Sequence, residues 1–165
     1  GLDTLDVVTA ADLARAVGER AGASSVVIMA AAVADYTPAE FSERKIKKGG
    51  QGERMQLTLS RTPDILGALV ADPAPGRVVV GFAAETAADR DELLALAREK
   101  IARKPADLLV ANAVGGGRGF GADDNDVLVL GTSGDVVAEV SGSKRRVADA
   151  VLDRVVELLA ARPGR

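Results

Sequence analysis

The 165 residues contain neither cysteine nor histidine. That excludes thiol nucleophiles, disulfides, imidazole bases and zinc sites built on nitrogen or sulfur. Any metal here sits on oxygen, which favours Mg²⁺ or Ca²⁺, and Mg²⁺ takes part of its shell from substrate phosphates. Basic surplus is missing too: 21 Lys and Arg against 24 Asp and Glu leave a net charge of -3. A nucleic-acid binder carries the opposite balance, so small molecules are the expected partners. No apolar run approaches the roughly 20 residues that cross a bilayer. No signal peptide opens the chain, and a cytoplasmic protein with no membrane partner is expected. An initiator Met is also lacking, and Gly1 runs almost directly into an apolar segment, as in a fragment of something longer.

Apolar residues are plentiful, at 47%, enough to build the core of one domain. Apolar runs at Asp6 to Val8, Ser25 to Ala30, Val78 to Ala83 and Leu108 to Ala111 are separated by helical or mixed segments. Such alternation is the mark of a parallel sheet. Because the runs are continuous rather than alternating, helices are expected on both faces, in a doubly wound α/β domain. Thr9 is a candidate N-cap for a helix through Ala21, with Leu13, Ala14 and Val17 on one face and Gly22 as its stop. A second helix is read from Thr86 to Lys104, ended by Pro105. Val127 to Leu130 and Val136 to Val140 flank GTSGD, a hairpin that adds antiparallel strands, and Ser143 caps a last helix toward Ala161. Glycine-rich loops occupy residues 49–52 and 115–121.

Lysine is scarce, and five of the six lie in two places: Lys45, Lys47 and Lys48, and then Lys100 and Lys104. Lys100 and Lys104 share a helix face and repel by roughly 0.2 to 0.5 kcal/mol unless an anion lies between them. A solvated face eased by Glu99 is the competing reading. The Lys45 segment follows an apolar strand directly and precedes GGQG, so it is either a basic lid at the crevice where open α/β sheets bind ligands or a surface loop. Asp35, just after AAAVA, either meets a sugar hydroxyl or Mg²⁺, or caps the next turn. Residues 115–125, GGGRGFGADDN, shape a pocket with Arg118 or form a turn.

Taken in order, AAAVADY, KIKK, TPDI, GFAAET, a lysine pair before DLLVAN and then FGADDN resemble the phosphopantothenate-cysteine ligase family, in its bacterial CTP-dependent form. This family is the C-terminal, synthetase part of bifunctional coenzyme A biosynthesis proteins. The resemblance covers nearly the whole chain. It implies a Rossmann-like fold and a ligase in which CTP activates the carboxylate of 4'-phosphopantothenate as an acyl-cytidylate, releasing pyrophosphate. The amine of L-cysteine then displaces CMP.

Carried over by motif, the resemblance assigns CTP contacts to Ala31, Ala32, Asp35, Lys45, Thr62, Pro63, Asp64, Ile65, Phe82, Lys100 and Lys104. Lys45 also supports the second step, as the catalytic residue. Mg²⁺ accompanies the nucleotide, and FMN enters only with a fused decarboxylase domain upstream. A homodimer is implied, with the late hairpin near its contact.

The departures are Thr62 where the family has Asn, Ala113 where it more often has Asp, and no counterpart to its opening Gly-Gly-Thr strand and Ser-Ser-Gly segment. The first βαβ unit of the family is therefore expected to be absent. Two other readings stand beside the ligase. One is a non-catalytic CTP-binding or oligomerisation fragment; the other, a dinucleotide-dependent oxidoreductase, lacks the G-x-G-x-x-G fingerprint after any strand.

Overall fold

In the computed structural model the described residues are 1–42, 44–46, 54–115 and 124–162. The elements run α1 (Ala10–Ala21), β1 (Val26–Met29), β2 (Tyr36–Pro38), β3 (Leu59–Arg61), α2 (Ile65–Ala71), β4 (Val78–Glu85), α3 (Arg90–Arg103), β5 (Leu108–Ala113), β6 (Asp124–Gly131), β7 (Val136–Ser143) and α4 (Lys144–Ala161). β1, β4 and β5 pair in parallel, β6 is antiparallel to β5, and β7 is antiparallel to β6, in the order β1-β4-β5-β6-β7. Four of these five strands thus point the same way, which is the Rossmann-like, mostly parallel sheet with a late hairpin. β2 and β3 form a separate antiparallel ribbon.

Side-chain alternation along the strands builds the two layers. Val78, Val80, Leu108, Val110, Val127 and Val129 face Val147, Val151 and Val155 of α4. On the other face Leu109, Ala111, Leu128 and Leu130 pack on α3 through Leu93, Ala97 and Ile101, while Val79 joins α1 and α2 through Ala21, Ile65 and Leu69. Full burial of such a Val or Leu contributes about 1.5 to 3 kcal/mol. Arg77, only 4% exposed, donates to the carbonyls of Ala21, Leu69 and Asp72 at the ends of α1 and α2. A cation at two helix C-termini is favoured by both dipoles.

Thr9 begins α1 as expected and does so with a capping box: its Oγ1 accepts from Asp12 N–H at 3.0 Å and Asp12 accepts from Thr9 N–H at 3.1 Å. The β6–β7 turn passes through Gly134 at φ 83°, a left-handed position that glycine takes without strain. Ser143 caps α4.

Two expectations are corrected. Asp6 to Val8 is not a strand: among the described residues it pairs with nothing, and Val8 is 93% exposed. α3 starts at Arg90, not Thr86, because Asp89 takes the cap and accepts from Glu92 N–H. The β2–β3 ribbon and α2 were not foreseen.

Candidate functional site

β1 stops at Met29, and the chain leaves its C-terminal end through three exposed alanines, Ala30, Ala31 and Ala32, whose small side chains leave the backbone open to approach. Beyond that end lies a cleft of about 1150 Å³. Its floor is Ala31, Ala32 and Asp35 after β1, Phe82 and Ala84 of β4 and Asn112 of β5. Thr62, Pro63, Asp64 and Ile65 at the start of α2, with Lys100 and Lys104 from α3 and its cap, form one wall. Ala148, Val151 and Leu152 of α4 form the opposite wall. A crevice outside the carboxyl ends of parallel strands is the usual ligand site of an open α/β sheet.

Two glycine contacts set the wall. A Cβ at Gly81 would lie 2.7 Å from Leu66 Cδ2, so its absence lets α2 lie directly on β4. A Cβ at Gly67 would lie 2.7 Å from Asp64 Oδ2, in the space the carboxylate fills to cap α2. Asp64 Oδ1 accepts from Gly67 N–H at 2.9 Å, and Oδ2 meets Lys104 Nζ at 2.7 Å. Partial burial pushes the Asp64 carboxyl up. The hydrogen bonds from Lys104 and Gly67, and the charges of Lys104 and Lys100, outweigh it and hold the group below its ordinary value. Lys100 Nζ is 2.8 Å from Glu85 Oε1 at the end of β4. The mutual repulsion of the two ammonium groups is therefore relieved by Asp64 and Glu85, whereas Glu99 pairs with Arg103.

The floor and wall are joined by Thr62. Its Oγ1–H donates to the Ala34 carbonyl at 2.5 Å, and its N–H donates to the Asp35 carbonyl at 2.9 Å. The second bond extends the ladder of the β2–β3 ribbon, which Ala39 N–H to Thr58 O continues at the far end. No described residue hydrogen-bonds or ion-pairs with the Asp35 carboxylate, so the turn-capping alternative finds no support in its contacts.

All the residues expected to contact CTP line this cleft except Lys45. Lys45 is exposed, on the segment between β2 and β3. Lys47, Lys48 and Arg118 lie outside the described residues. The sequence reading overlooked Arg61, Arg103 and Lys144, three further cations on the walls. Lys144, the sixth lysine, lies far in sequence from the other five, and the direct passage from β7 into α4 brings it to the cleft.

The family model for the DNA/pantothenate metabolism flavoprotein C-terminal domain matches residues 1–159. The coenzyme A biosynthesis bifunctional protein CoaBC of Mycobacterium tuberculosis is 42% identical over 97% of this chain and 39% of its own length. Its Bacillus subtilis namesake is 40% identical over 93% and 36%. The chain thus spans about two fifths of the length of these curated relatives. Among solved structures, the DNA/pantothenate metabolism flavoprotein from Streptococcus pneumoniae superposes with a TM-score of 0.69 at 22% identity, over 92% of this chain and 71% of that one. A Cab2 mutant in complex with phosphopantothenate-cysteine gives 0.69 at 20% identity, over 94% and 53%. With the motif series, the matched length and the fold in agreement, this chain belongs to the DNA/pantothenate metabolism flavoprotein C-terminal domain family.

Proposed function

We propose that the cleft binds CTP and that the chain supplies the nucleotide site of a phosphopantothenate-cysteine ligase in coenzyme A biosynthesis. The observation that carries the reading is the meeting of AAAVAD, TPDI, Phe82 and the Lys100–Lys104 pair, far apart in sequence, on one cleft at strand ends. Exposed backbone at Ala31 and Ala32 suits the edge of a flat base. Asp35, free of described protein partners, suits a ribose hydroxyl or Mg²⁺ borne on phosphates. Among the described residues no group of three or more metal-ligating side chains gathers, and Mg²⁺ that arrives on a nucleotide needs only one or two carboxylates.

In this reading the carboxylate of 4'-phosphopantothenate attacks the α-phosphorus of CTP. The bond to pyrophosphate breaks, leaving an acyl-cytidylate. The amine of L-cysteine then forms the amide and CMP leaves. Lys100 and Lys104 offset charge on the phosphates, the electrostatic assistance such a transfer needs most. Lys45, on the arm beyond the ribbon, is the lid residue that supports amide formation. The bifunctional names of the relatives fit a decarboxylase on the rest of their length, which is where FMN would belong; no cleft residue is assigned to it.

A second copy of the chain is the proposed partner. The ribbon and the arm it carries expose Phe41 at 89% and Leu57 at 62%, apolar surface of the kind that association covers. The ribbon thus joins the late hairpin as a proposed part of that contact. Sedimentation of wild type and Phe41→Ser tests this: a dimer weakened by the substitution is expected, and a wild-type monomer at all concentrations contradicts it.

Pyrophosphate release from CTP, Mg²⁺ and 4'-phosphopantothenate, followed by CMP release on adding L-cysteine, tests the ligase reading. CTP binding without pyrophosphate release would favour the non-catalytic CTP-binding module instead. No CTP binding would remove both.

A further inference from the structure

We infer that Glu85 is a positioning residue for ligand binding, acting only through Lys100; the inference rests on the reading of the cleft as a nucleotide polyphosphate site. Glu85 is the last residue of β4, and its backbone is held on the β5 side. It pairs with Ala113 in the parallel ladder, and its carbonyl accepts from Val114 N–H at 2.8 Å. Its side chain is on the α3 face of the sheet, like those of Ala83 and Ala87, and meets Lys100 Nζ at 2.8 Å. Lys100 lines the cleft and Glu85 does not. The carboxylate therefore stands behind the ammonium with respect to the ligand space.

A lysine side chain has several rotatable bonds, and ordering it costs up to about 2 kcal/mol of rotamer entropy. Glu85 holds the ammonium before a ligand arrives and occupies one of its three protons. The other two remain for phosphate oxygens. Both side chains are little exposed, 28% for Lys100 and 26% for Glu85, so the pair is less loosened by water than a surface ion pair. Asp64 performs the same service for Lys104 but from within the cleft wall, where it also caps α2. Among the described residues the Glu85 carboxylate has no partner besides Lys100, which makes it the cleaner probe. Its negative charge opposes an anionic ligand, but the ammonium stands between the two and is the nearer charge, so its attraction outweighs that opposition. Fixing the ammonium is the larger effect.

The test is a double-mutant cycle on CTP affinity, by calorimetry at fixed ionic strength, with Glu85→Ala, Lys100→Met and the two combined. Glu85→Ala should weaken CTP about tenfold, because the ammonium must then be ordered on binding. In the Lys100→Met background it should change nothing. Glu85→Gln, which keeps an acceptor oxygen at the same place, should recover part of the loss and guards against misfolding of the alanine variant. Melting temperatures within a few degrees of wild type are expected throughout. Equal effects of Glu85→Ala with and without Lys100, or tighter CTP binding by Glu85→Ala, would overturn the inference while leaving the CTP site intact. A wild type that does not bind CTP would overturn the nucleotide reading and this inference with it.

Discussion

Lys104 Nζ lies 2.7 Å from Asp64 Oδ2, so the residue that ends α3 is tied to the residue that starts α2. This one contact joins two motifs forty residues apart, TPDI and the lysine pair, and gives the cleft a wall with a defined electrostatic state. Each of its components can be changed singly.

Asp64→Asn separates the charge from the cap. Asparagine caps a helix as well as aspartate, and an ion pair whose carboxylate is half exposed contributes little, so the loss at neutral pH should stay under about 1 kcal/mol. The acid limb should differ more. The native carboxyl is held below its ordinary value of 3.8, so the folded state binds that proton less readily than the unfolded chain. The stability it contributes is present above the ordinary value and is lost as pH falls through the lowered one. Urea midpoints from about pH 5 down to about pH 2 should therefore fall less steeply in Asp64→Asn than in wild type. A steeper fall would contradict the assignment.

Gly81→Ala places a methyl 2.7 Å from Leu66 Cδ2 in a buried layer. Overpacking of this kind costs about 1 to 3 kcal/mol, relieved by a new Leu66 rotamer or by a shift of α2 that carries Asp64 with it. Stability and CTP affinity should fall together. Gly18→Ala, in open space on α1, is the counterpart and should stabilise by up to about 1 kcal/mol through helix propensity alone. Equal melting temperatures for the two variants would refute the close-packing account.

Thr62→Val keeps the shape and removes the hydroxyl that reaches the Ala34 carbonyl. Ala34 is exposed, so water can replace the donor and the stability cost should be no more than about 1 kcal/mol. CTP affinity should drop several-fold, since the AAAVAD backbone loses one of its two bonds to Thr62. Thr62→Ser should bind as wild type does. Loss of affinity in Thr62→Ser equal to that in Thr62→Val would show that the hydroxyl is not what matters.

Much of the fold was legible in the sequence where one signal sufficed. Thr9 with Asp12, the continuous valines of β4, GTSGD between β6 and β7, and Ser143 before α4 each specify a local structure by their own chemistry. The failures share a cause. α2 is a seven-residue helix, ILGALVA, whose cap Asp64 reads equally well as a ligand contact. β2 and β3 are three residues each and wholly exposed, so no burial pattern marks them. Asp6 to Val8 has the composition of a strand but finds no neighbour among the described residues, and a strand without a ladder partner is not held.

The site was legible as a set of motifs but not as a set of contacts. The repulsion between Lys100 and Lys104 was visible from their spacing. Their true partners were not, because Glu85 is fifteen residues from Lys100, Asp64 is forty from Lys104, and only the packing of α2 and α3 over β4 brings them together.

The central claim is that Lys100 and Lys104 hold the phosphates of a nucleotide in the cleft. Calorimetric titration of CTP into wild type and into the Lys100→Gln, Lys104→Gln double variant tests it most directly. Wild type should bind, and the double variant should lose at least tenfold, since hydrogen bonds from charged donors contribute about 1.5 to 3 kcal/mol each. CTP affinity unchanged by removing both ammonium groups would contradict the account.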